Sequence, residues 1–311
     1  MRIVRFISPA TGQSAIGVDD GDTITEFGGL STVGELLRLP LAEVRERCAA
    51  ADGPRHESAQ VRLLPPVDGR MEVWACGVTY ERSREARVLE SEQAADVYEL
   101  VYDAERPELF FKSAAWRVTG HGESVSIRAD SQVDVPEPEL GLVLNRHAEV
   151  VGYTVVNDMS SRTIEGENPL YLPQAKIYLG GCGVGPAVRP AWEVADPYDL
   201  AIELTINRGG AVEWTGTAST GQLHRKLDDL VAYLFREDAF PDGAVLATGT
   251  CLVPDLPFTL RAGDGIVISI AEVGTLAASV VSGKEGMGWL ADAVDDPASR
   301  GRGGAPAERR P

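Results

Sequence analysis

Three acidic residues form the first candidate site of this 311-residue sequence. The stretch "VDVPEPELGLVLN" places Glu137 and Glu139 one residue apart, where a polar approach runs into an apolar segment. In an extended strand, residues i and i+2 lie on the same face, so the two carboxylates should point in one direction. Pro136 and Pro138 favour an edge or an irregular start of the strand, because proline cannot donate a hydrogen bond to a neighbouring strand.

A hairpin would bring a third carboxylate to this pair. The run "EVVGYTVVND" follows "LGLVLN" after a short link, and a hairpin centred near Arg146 and His147 pairs residues whose numbers sum to roughly 293 to 295. This register sets Asp158 about opposite Glu137. The alternative is a solvated acidic edge of the sheet. Three carboxylates this close repel one another, and a hard divalent cation relieves the repulsion, so the pattern predicts a Mg²⁺ or Mn²⁺ site.

Other residues could act beside such a site. Lys176 follows a proline-marked loop in "LPQAKIYLGG" and could transfer a proton or bind an anion, although a surface lysine is the commoner case. Thr250, in "ATGT" at the end of a strand, could bind a substrate carboxylate. In "PELFFKS", strand alternation sends Glu108 and Lys112 to one face, either as a salt bridge or as half of a site.

The composition excludes several classes of protein. The formal net charge is −18, whereas binding of nucleic acid needs clustered cations, so no nucleic-acid partner is expected. The four cysteines are far apart and form no CxxC motif, which favours a reducing compartment over a disulfide framework or a zinc site. No apolar run approaches the roughly 20 residues that cross a membrane, and the N-terminus lacks a signal-peptide pattern. A cytoplasmic protein is therefore expected.

The elements that must position these residues are mostly strands. Beta-rich segments run from "MEVWACGVTY" to "DGIVISIAEVGTL", and helical patterns occur in "TVGELLRLPLAEVRERCAA", "SREARVLESEQAADVYELVYD" and "TGQLHRKLDDLVAYLFRE". Strands without regular alternation with helices predict an α+β or mostly β fold. Prolines in "VRLLPPVDGR" predict a small N-terminal domain over residues 1–69 and a catalytic domain over residues 70–290. The Gly-, Pro- and Arg-rich end predicts a disordered tail over residues 291–311.

Four segments taken together resemble the fumarylacetoacetate hydrolase superfamily. They are "VPEPELGLVLN", "VVGYTVVNDMSSR", "QAKIYLGGCGVGP" and "ATGT", and the resemblance extends over roughly residues 71–283. It implies an α+β, β-rich fold with a rolled mixed β-sheet, preceded by a small N-terminal α/β domain.

The resemblance also implies a metal site and a class of substrate. In that family a divalent metal is held by the E-x-E pair and by the aspartate of an N-D step, which match Glu137, Glu139 and Asp158. Family members bind α-keto acid groups at the metal, close to a lysine and a threonine that match Lys176 and Thr250. The implied cofactor is Mg²⁺ or Mn²⁺, and the implied ligand is a small 2-keto acid.

One departure from the family pattern distinguishes dehydration from hydrolysis. Carbon–carbon bond hydrolases of the family carry an N-Y-x-x-H-x-x-E stretch whose His and Glu activate water, whereas this sequence has Ser83 and Ala86 at those positions. The strings "GVTYERSREAR", "VYDAERPELFFK" and "NPLYLPQAKIY" resemble the branch that converts 2-keto-3-deoxy-D-arabinonate or D-xylonate to 2,5-dioxopentanoate. Enolisation at C3 and loss of the 4-hydroxyl need a base, a proton donor and a metal, but no water nucleophile.

The resemblance to this dehydratase branch, a group of carbon–oxygen lyases, suggests the remaining roles. Lys176 and Glu108 are predicted to transfer protons at C3 and at the leaving 4-hydroxyl, in an order that the sequence leaves open. Thr250, through its hydroxyl or its backbone amide, is predicted to bind the substrate carboxylate, and Ser83 and Arg82 the sugar hydroxyls. A homodimer or homotetramer is implied. The alternatives are a hydrolase or decarboxylase of acylpyruvate-like diketo acids and a metal-stabilised binding protein without turnover.

Overall fold

The chain, described over residues 1–82 and 100–301 by a computed structural model, is built mainly from strands. In chain order they are β1 Arg2–Ile7, β2 Ser14–Asp19, β3 Thr23–Glu26, β4 Arg55–Glu57, β5 Arg62–Leu64, β6 Glu72–Gly77, β7 Glu108–Ala114, β8 Ser124–Ile127, β9 Asp134–Val135, β10 Pro138–Leu144, β11 Val150–Asp158, β12 Ser160–Ser161, β13 Cys182–Pro190, β14 Ala201–Arg208, β15 Ala211–Ser219, β16 Ala244–Ala247, β17 Gly265–Ile270 and β18 Gly274–Ser282. The α-helices are α1 Val33–Leu37, α2 Leu41–Ala49, α3 Arg162–Glu167, α4 Leu172–Lys176, α5 Leu227–Leu234 and α6 Gly288–Asp292.

The strands form two large sheets. The first has eleven strands in the order β4-β3-β2-β1-β13-β11-β10-β16-β6-β7, with β5 paired to β1. The second has five strands in the order β15-β14-β17-β18-β8, and β9 pairs with β12 in a separate short ladder. The β16–β6 and β18–β8 pairs are parallel within otherwise antiparallel sheets. The arrangement is the β-rich α+β fold that the sequence predicts.

The predicted hairpin is formed by β10 and β11. Pro138 pairs with Asn157, and the numbers of paired residues sum to 295 along the hairpin as far as Val143, where a bulge begins. One step beyond the last pair at the open end, the Asp158 amide donates a hydrogen bond to the Glu137 carbonyl over 2.9 Å. The predicted register is therefore correct, and Asp158 lies opposite Glu137.

Alternation along β10 divides its side chains between two apolar clusters. Leu140, Leu142 and Leu144 belong to a cluster shared with the five-stranded sheet. Val143 belongs to a second cluster, which also contains the apolar faces of α1 and α2. Glu139 has the same strand parity as Val143, and every residue of β10 is buried. Because both faces of this strand are covered, the carboxylates at its open end are also removed from bulk water.

Two segments differ in detail from the sequence-based expectation. The run "TVGELLRLPLAEVRERCAA" forms two helices, α1 and α2, because Pro40 precedes the second and its ring is incompatible with a continuing helix. A capping box between Thr32 and Glu35 begins α1, as the sequence suggests. The run "DGIVISIAEVGTL" forms β17 and the start of β18, with Glu272 at a φ of 62° in the turn between them.

Both ends of the described chain are held by contacts with distant parts of the fold. The β1 strand pairs with β13 through Ile3 and Val188, so strands of the proposed N-terminal domain extend the eleven-stranded sheet. The boundary after residue 69 stays a prediction. Near the other end, Arg300 is buried and forms an ion pair with Glu123 over 2.7 Å. The disordered tail over residues 291–311 also stays a prediction, and within it Arg300 is held by buried polar contacts.

The four cysteines form no disulfide and lie in the interior. All four cysteines are buried free thiols, and burial raises the pKa of Cys48, Cys182 and Cys251 to about 12. These thiols are therefore protonated at neutral pH and are poor metal ligands. Within residues 1–82 and 100–301, no helix has both the length and the apolar character needed to cross a membrane.

Candidate metal centre and active site

Three carboxylates meet at the open end of the β10–β11 hairpin. Glu137, Glu139 and Asp158 each offer one oxygen atom, and these oxygens lie within 4.8 Å of one another. All three residues are at most 3% exposed. An all-oxygen set of three carboxylates fits a hard divalent cation such as Mg²⁺, because such an ion takes a few carboxylate ligands and keeps positions for water and substrate.

The electrostatic effect of this crowding is clearest at Glu139. Burial raises the pKa of its carboxyl well above the ordinary range, and the charges of Asp158 and Glu137 raise it further. The ammonium of Lys176 and a hydrogen bond from the Gly249 amide act in the opposite direction. A buried carboxyl that resists ionisation is not a solvated acidic edge. A divalent cation would stabilise its ionised form.

Three buried cations surround the triad. Lys176 Nζ lies 2.9 Å from Glu137 Oε2 and 3.0 Å from Asp158 Oδ2. Arg162 Nη2 lies 3.1 Å from Glu137 Oε1. Lys112 Nζ forms an ion pair with Asp158 Oδ1. The structure thus brings the predicted Lys176 to the predicted ligands, and it adds two cations that the sequence analysis did not assign to the site.

The alternative salt bridge between Glu108 and Lys112 is not formed among the described residues. Lys112 Nζ instead pairs with Asp158 and donates to the carbonyl oxygens of Met159, over 2.9 Å, and Lys176, over 2.6 Å. A bulge between β6 and β7 interrupts the regular pairing next to Lys112. The salt-bridge interpretation is therefore wrong, and the role of Glu108 in the site stays a prediction.

Four of the predicted site residues, Glu108, Glu137, Lys176 and Thr250, line one cavity of about 20 Å³, room for a single water-sized body. Its walls include Glu108, Phe110, Glu137, Glu165, Lys176 and Thr250. Gly77 pairs with Glu108 across β6 and β7, and a Cβ atom at Gly77 would collide with Glu108 Oε2. Glycine at this position therefore leaves room for the Glu108 carboxylate at the cavity.

Sequence reasoning missed Ser160, Arg162 and Glu165, which directly follow the third predicted ligand. Ser160 Oγ lies 2.5 Å from Lys176 Nζ, and Glu165 is buried at the cavity wall. A signal was present, since the segment "NDMSSRTIEGE" puts a series of polar residues after an apolar strand. The short strand β12 and the first turn of α3 fold these residues back beside Asp158.

The "ATGT" segment contacts the triad through its backbone. Gly249 has a φ of 89°, a left-handed conformation that favours glycine, and its amide donates to Glu139 Oε2 over 2.7 Å. The Thr250 hydroxyl contacts the carbonyl oxygens of Pro138 and Leu252 at 3.0 and 3.2 Å. The hydroxyl is thus engaged within the protein, whereas the Thr250 amide donates no hydrogen bond to any described residue. The amide is the better placed of the two predicted donors.

The two residues predicted to bind sugar hydroxyls are not placed at this cavity by the structure. The Arg82 side chain is 49% exposed and lies 2.6 Å from Asp255 in a surface ion pair. Ser83 lies outside the described residues, as does Ala86 at the other departure from the hydrolase motif. The roles of Arg82 and Ser83 stay predictions.

A comparison with known protein families identifies the family of this chain. Residues 73–281 match the family described as fumarylacetoacetate (FAA) hydrolase C-terminal. The chain belongs to the fumarylacetoacetate hydrolase family. One relative in this family is a probable 2-keto-3-deoxyxylonate dehydratase of Haloferax volcanii, 46% identical over 270 residues that cover 85% of this chain and 90% of the relative. Another is a 2-dehydro-3-deoxy-D-arabinonate dehydratase of Saccharolobus solfataricus, 43% identical over 224 residues that cover 71% and 74%.

Solved structures of the fumarylacetoacetate hydrolase family include a similar protein with bound ligands. It is a 2-keto-3-deoxy-D-arabinonate dehydratase complexed with magnesium and 2,5-dioxopentanoate, which is 34% identical to this chain. The TM-score is 0.78, and the match covers 91% of this chain and 99% of that protein. The predicted fumarylacetoacetate hydrolase fold is therefore confirmed.

Proposed function

We propose that the chain is a metal-dependent dehydratase, a carbon–oxygen lyase, that converts a 2-keto-3-deoxy-pentonate of the arabinonate or xylonate type to 2,5-dioxopentanoate. The observation that carries the proposal is the buried triad of Glu137, Glu139 and Asp158, of which Glu137 lines the same cavity as Lys176 and Glu108. Relatives that are 43% and 46% identical carry dehydratase names, and a similar solved structure contains magnesium and this product. A role in pentose catabolism follows from the substrate.

The triad would hold the cofactor, Mg²⁺ or Mn²⁺, through carboxylate oxygens of Glu137, Glu139 and Asp158. When bound, the ion supplies a Lewis acid that polarises the 2-keto group of the substrate. Lys112 and Arg162 each hold one carboxylate oxygen of this set. The carboxylates are therefore oriented by the protein before a substrate arrives, which lowers the cost of assembling the site.

Lys176 and Glu108 carry out the two proton transfers. One of them takes a proton from C3, and the other gives a proton to the 4-hydroxyl, which leaves as water. The unsaturated product then tautomerises, so that C5 becomes the aldehyde of 2,5-dioxopentanoate. Lys176 Nζ already lies within 3.0 Å of two triad carboxylates, which sets it beside the place where the keto acid must bind.

Three further residues bind the substrate in this proposal. The Thr250 amide, at the cavity wall, donates to the substrate carboxylate, because backbone N–H groups are good donors to an anion in a site with little water. Arg82 and Ser83 bind the sugar hydroxyls. We also propose that the protein is a homodimer or homotetramer in solution, and light scattering after size-exclusion chromatography measures its mass.

A panel of keto acids with and without a chelator tests the function. The protein is incubated with 2-keto-3-deoxy-D-arabinonate, 2-keto-3-deoxy-D-xylonate and acetylpyruvate, and aldehyde and cleavage products are detected. We expect aldehyde from a pentonate, none with EDTA, and recovery when Mg²⁺ is added in excess. Turnover that survives complete removal of metal contradicts the proposal. Cleavage of acetylpyruvate alone indicates a hydrolase or decarboxylase, and metal binding without any product indicates a binding protein.

A further inference from the structure

Lys112 is the most deeply buried cation of the site, and neither of the two proton transfers uses it. Its side chain is 0% exposed, and its Nζ atom has three oxygen partners, namely Asp158 Oδ1, the Met159 carbonyl and the Lys176 carbonyl. The ring of Tyr178 covers the ammonium group, with its centroid 5.8 Å from Nζ. Two of these oxygens, the carbonyls of Met159 and Lys176, accept hydrogen bonds from the ammonium group, and Asp158 Oδ1 forms an ion pair with it.

The three partners come from two segments of the active site, the adjacent residues Asp158 and Met159 and the end of helix α4. Asp158 ends strand β11 and is one of the triad carboxylates, whereas the Lys176 carbonyl ends helix α4, which carries the proposed proton-transfer group. Lys176 Nζ returns to the second oxygen, Asp158 Oδ2, over 3.0 Å. Lys112 thus closes a ring of contacts that fixes the triad and the Lys176 side chain relative to each other.

Lys112 also contributes to the charge balance of the site. The three triad carboxylates are at most 3% exposed and lie beside three cations, Lys112, Lys176 and Arg162. Lys176 must be able to move toward the substrate if it transfers a proton. Lys112 is held by two backbone carbonyls as well as by Asp158, so its positive charge stays in place throughout. A buried carboxylate that loses such a partner is strongly destabilising.

We propose that Lys112 is a positioning residue of the metal centre, which orients Asp158 and supplies the fixed positive charge that allows the triad to be buried before a metal ion binds. The proposal rests on the metal centre of the proposed function, but it does not depend on which keto acid is the substrate. It predicts that a divalent cation and the Lys112 ammonium partly substitute for each other in stabilising the fold.

The test compares melting temperatures of the full chain in EDTA and in saturating MgCl₂ for the wild type, K112M and V155A. Val155 is a fully buried residue of the same strand as Asp158, and V155A destabilises the core without removing a charge. In EDTA we expect K112M to melt about 5 °C or more below the wild type. The upward shift caused by Mg²⁺ should be at least twice as large in K112M as in the wild type, whereas V155A should keep the wild-type shift.

A second variant separates positioning from mere loss of packing. In K112M the Asp158 carboxylate keeps Lys176 but loses the cation at Oδ1; in K112M/D158N this charge is absent, so in EDTA the double variant should melt above K112M. If K112M does not fold, its melting temperature cannot be measured; recovery of a folded protein in the double variant then supports the proposal. An equal Mg²⁺ shift in K112M and the wild type, or a double variant no more stable than K112M, overturns it. Because these readouts need no substrate, failure of the dehydratase assay leaves their outcome unaffected.

Discussion

Glu137 and Asp158 each share their two oxygens between different partners. Arg162 takes one oxygen of Glu137 and Lys176 the other, whereas Lys112 and Lys176 divide the oxygens of Asp158 in the same way. Glu139 differs, since its described hydrogen bond comes from the uncharged amide of Gly249. The carboxylate with the least cationic compensation therefore has the strongest need of a metal ion, which agrees with the upward shift of its pKa by burial and by neighbouring negative charge.

The first prediction at this scale concerns the triad. Changing Glu137, Glu139 or Asp158 to alanine removes one of three oxygen ligands and should lower turnover by at least about 100-fold, without recovery in excess Mg²⁺. Steady-state kinetics over a range of MgCl₂ concentrations measures the effect. Glu203→Ala is a matched control, because this glutamate is exposed on β14. Near-normal turnover of a triad variant would remove that residue from the proposed metal centre.

The second prediction concerns Glu108. Glu108→Gln keeps the size of the side chain but removes its ability to exchange a proton, so kcat should fall by about 10² to 10⁴. The affinity for Mn²⁺, measured by titration calorimetry, should stay at the wild-type value, because Glu108 is not part of the triad. The exposed Glu105→Gln provides the control. Unchanged turnover of the Glu108 variant would leave Lys176 to act with some other group.

At the scale of elements, β9 and β12 hold the chain on either side of the site. Val135 pairs with Ser160 and Asp134 with Ser161, so a two-residue ladder joins the approach to Glu137 with the segment after Asp158. Asp134 is 2% exposed, and its Oδ1 atom has no hydrogen-bond partner among the described residues. Burial raises the pKa of Asp134 to about 6. Its ionised form therefore destabilises the fold at neutral pH.

The sign of the resulting pH dependence follows from this pKa. The unfolded chain ionises Asp134 near pH 4 and the folded chain near pH 6, so the free energy of unfolding decreases as the pH rises through this window. Asp134→Asn has no carboxyl group to ionise at this position, so its free energy of unfolding does not decrease in this way. Relative to the wild type, its free energy of unfolding should therefore increase by up to about 3 kcal/mol between pH 4 and pH 7. Urea unfolding at several pH values measures the difference, with the exposed Asp229→Asn as control. A difference that does not vary with pH contradicts the assignment.

The strands and their register could be predicted from the sequence because both depend on short-range regularities. Alternation in "LGLVLN" and "EVVGYTVVND", and a link of known length, determined which carboxylates meet. The partners of Lys112 could not be found in this way. They are the carbonyls of Met159 and Lys176, which lie 47 and 64 residues away in the chain. Every residue has a backbone carbonyl, so the sequence does not show which of them will accept a hydrogen bond from Lys112. Only the folded sheet brings these two carbonyls to one ammonium group.

At the scale of the whole molecule, the C-terminal part of the described chain links strand β5 to the segment before β8. Arg62 in β5 donates to the carbonyl of Arg300 over 2.6 Å and to that of Ala298 over 2.8 Å. The Arg300 guanidinium in turn contacts Glu123 and donates to the Val118 carbonyl over 2.6 Å. The Gly-, Pro- and Arg-rich composition predicts disorder from residue 291, because such a sequence has few apolar side chains to bury. The contacts of Arg300 with the acceptors before β8 and with the Arg62 donor on β5 depend on distant parts of the chain, which local composition does not show.

This contact leads to the last prediction. Arg300→Ala leaves Glu123 without its cation in a largely buried setting and should lower the free energy of unfolding by about 2 to 4 kcal/mol. The value of kcat below the melting temperature should be unchanged, since Arg300 makes no contact with the triad. Arg47→Ala, at an exposed helix pair with Glu43, should cost less than about 0.5 kcal/mol and is the control. Denaturant unfolding measures the free energy of unfolding of both variants, and steady-state kinetics measures their kcat. An equal decrease in the free energy of unfolding of the two variants would contradict the prediction.

The geometry of the metal centre depends on the register of the β10–β11 hairpin. From the bulge beside Val143 to the open end, each residue on one strand has a fixed partner on the other, and six such pairs separate the turn from Glu137 and Asp158. This is a distance of roughly 20 Å. A shift of this pairing by one residue would move Asp158 away from Glu137 and would send each side chain of the shifted strand to the opposite face. Because both strands are buried and each pairs with a further strand, their apolar pattern prevents such a shift, so the same leucines and valines that form the core also keep the acids of the metal centre together.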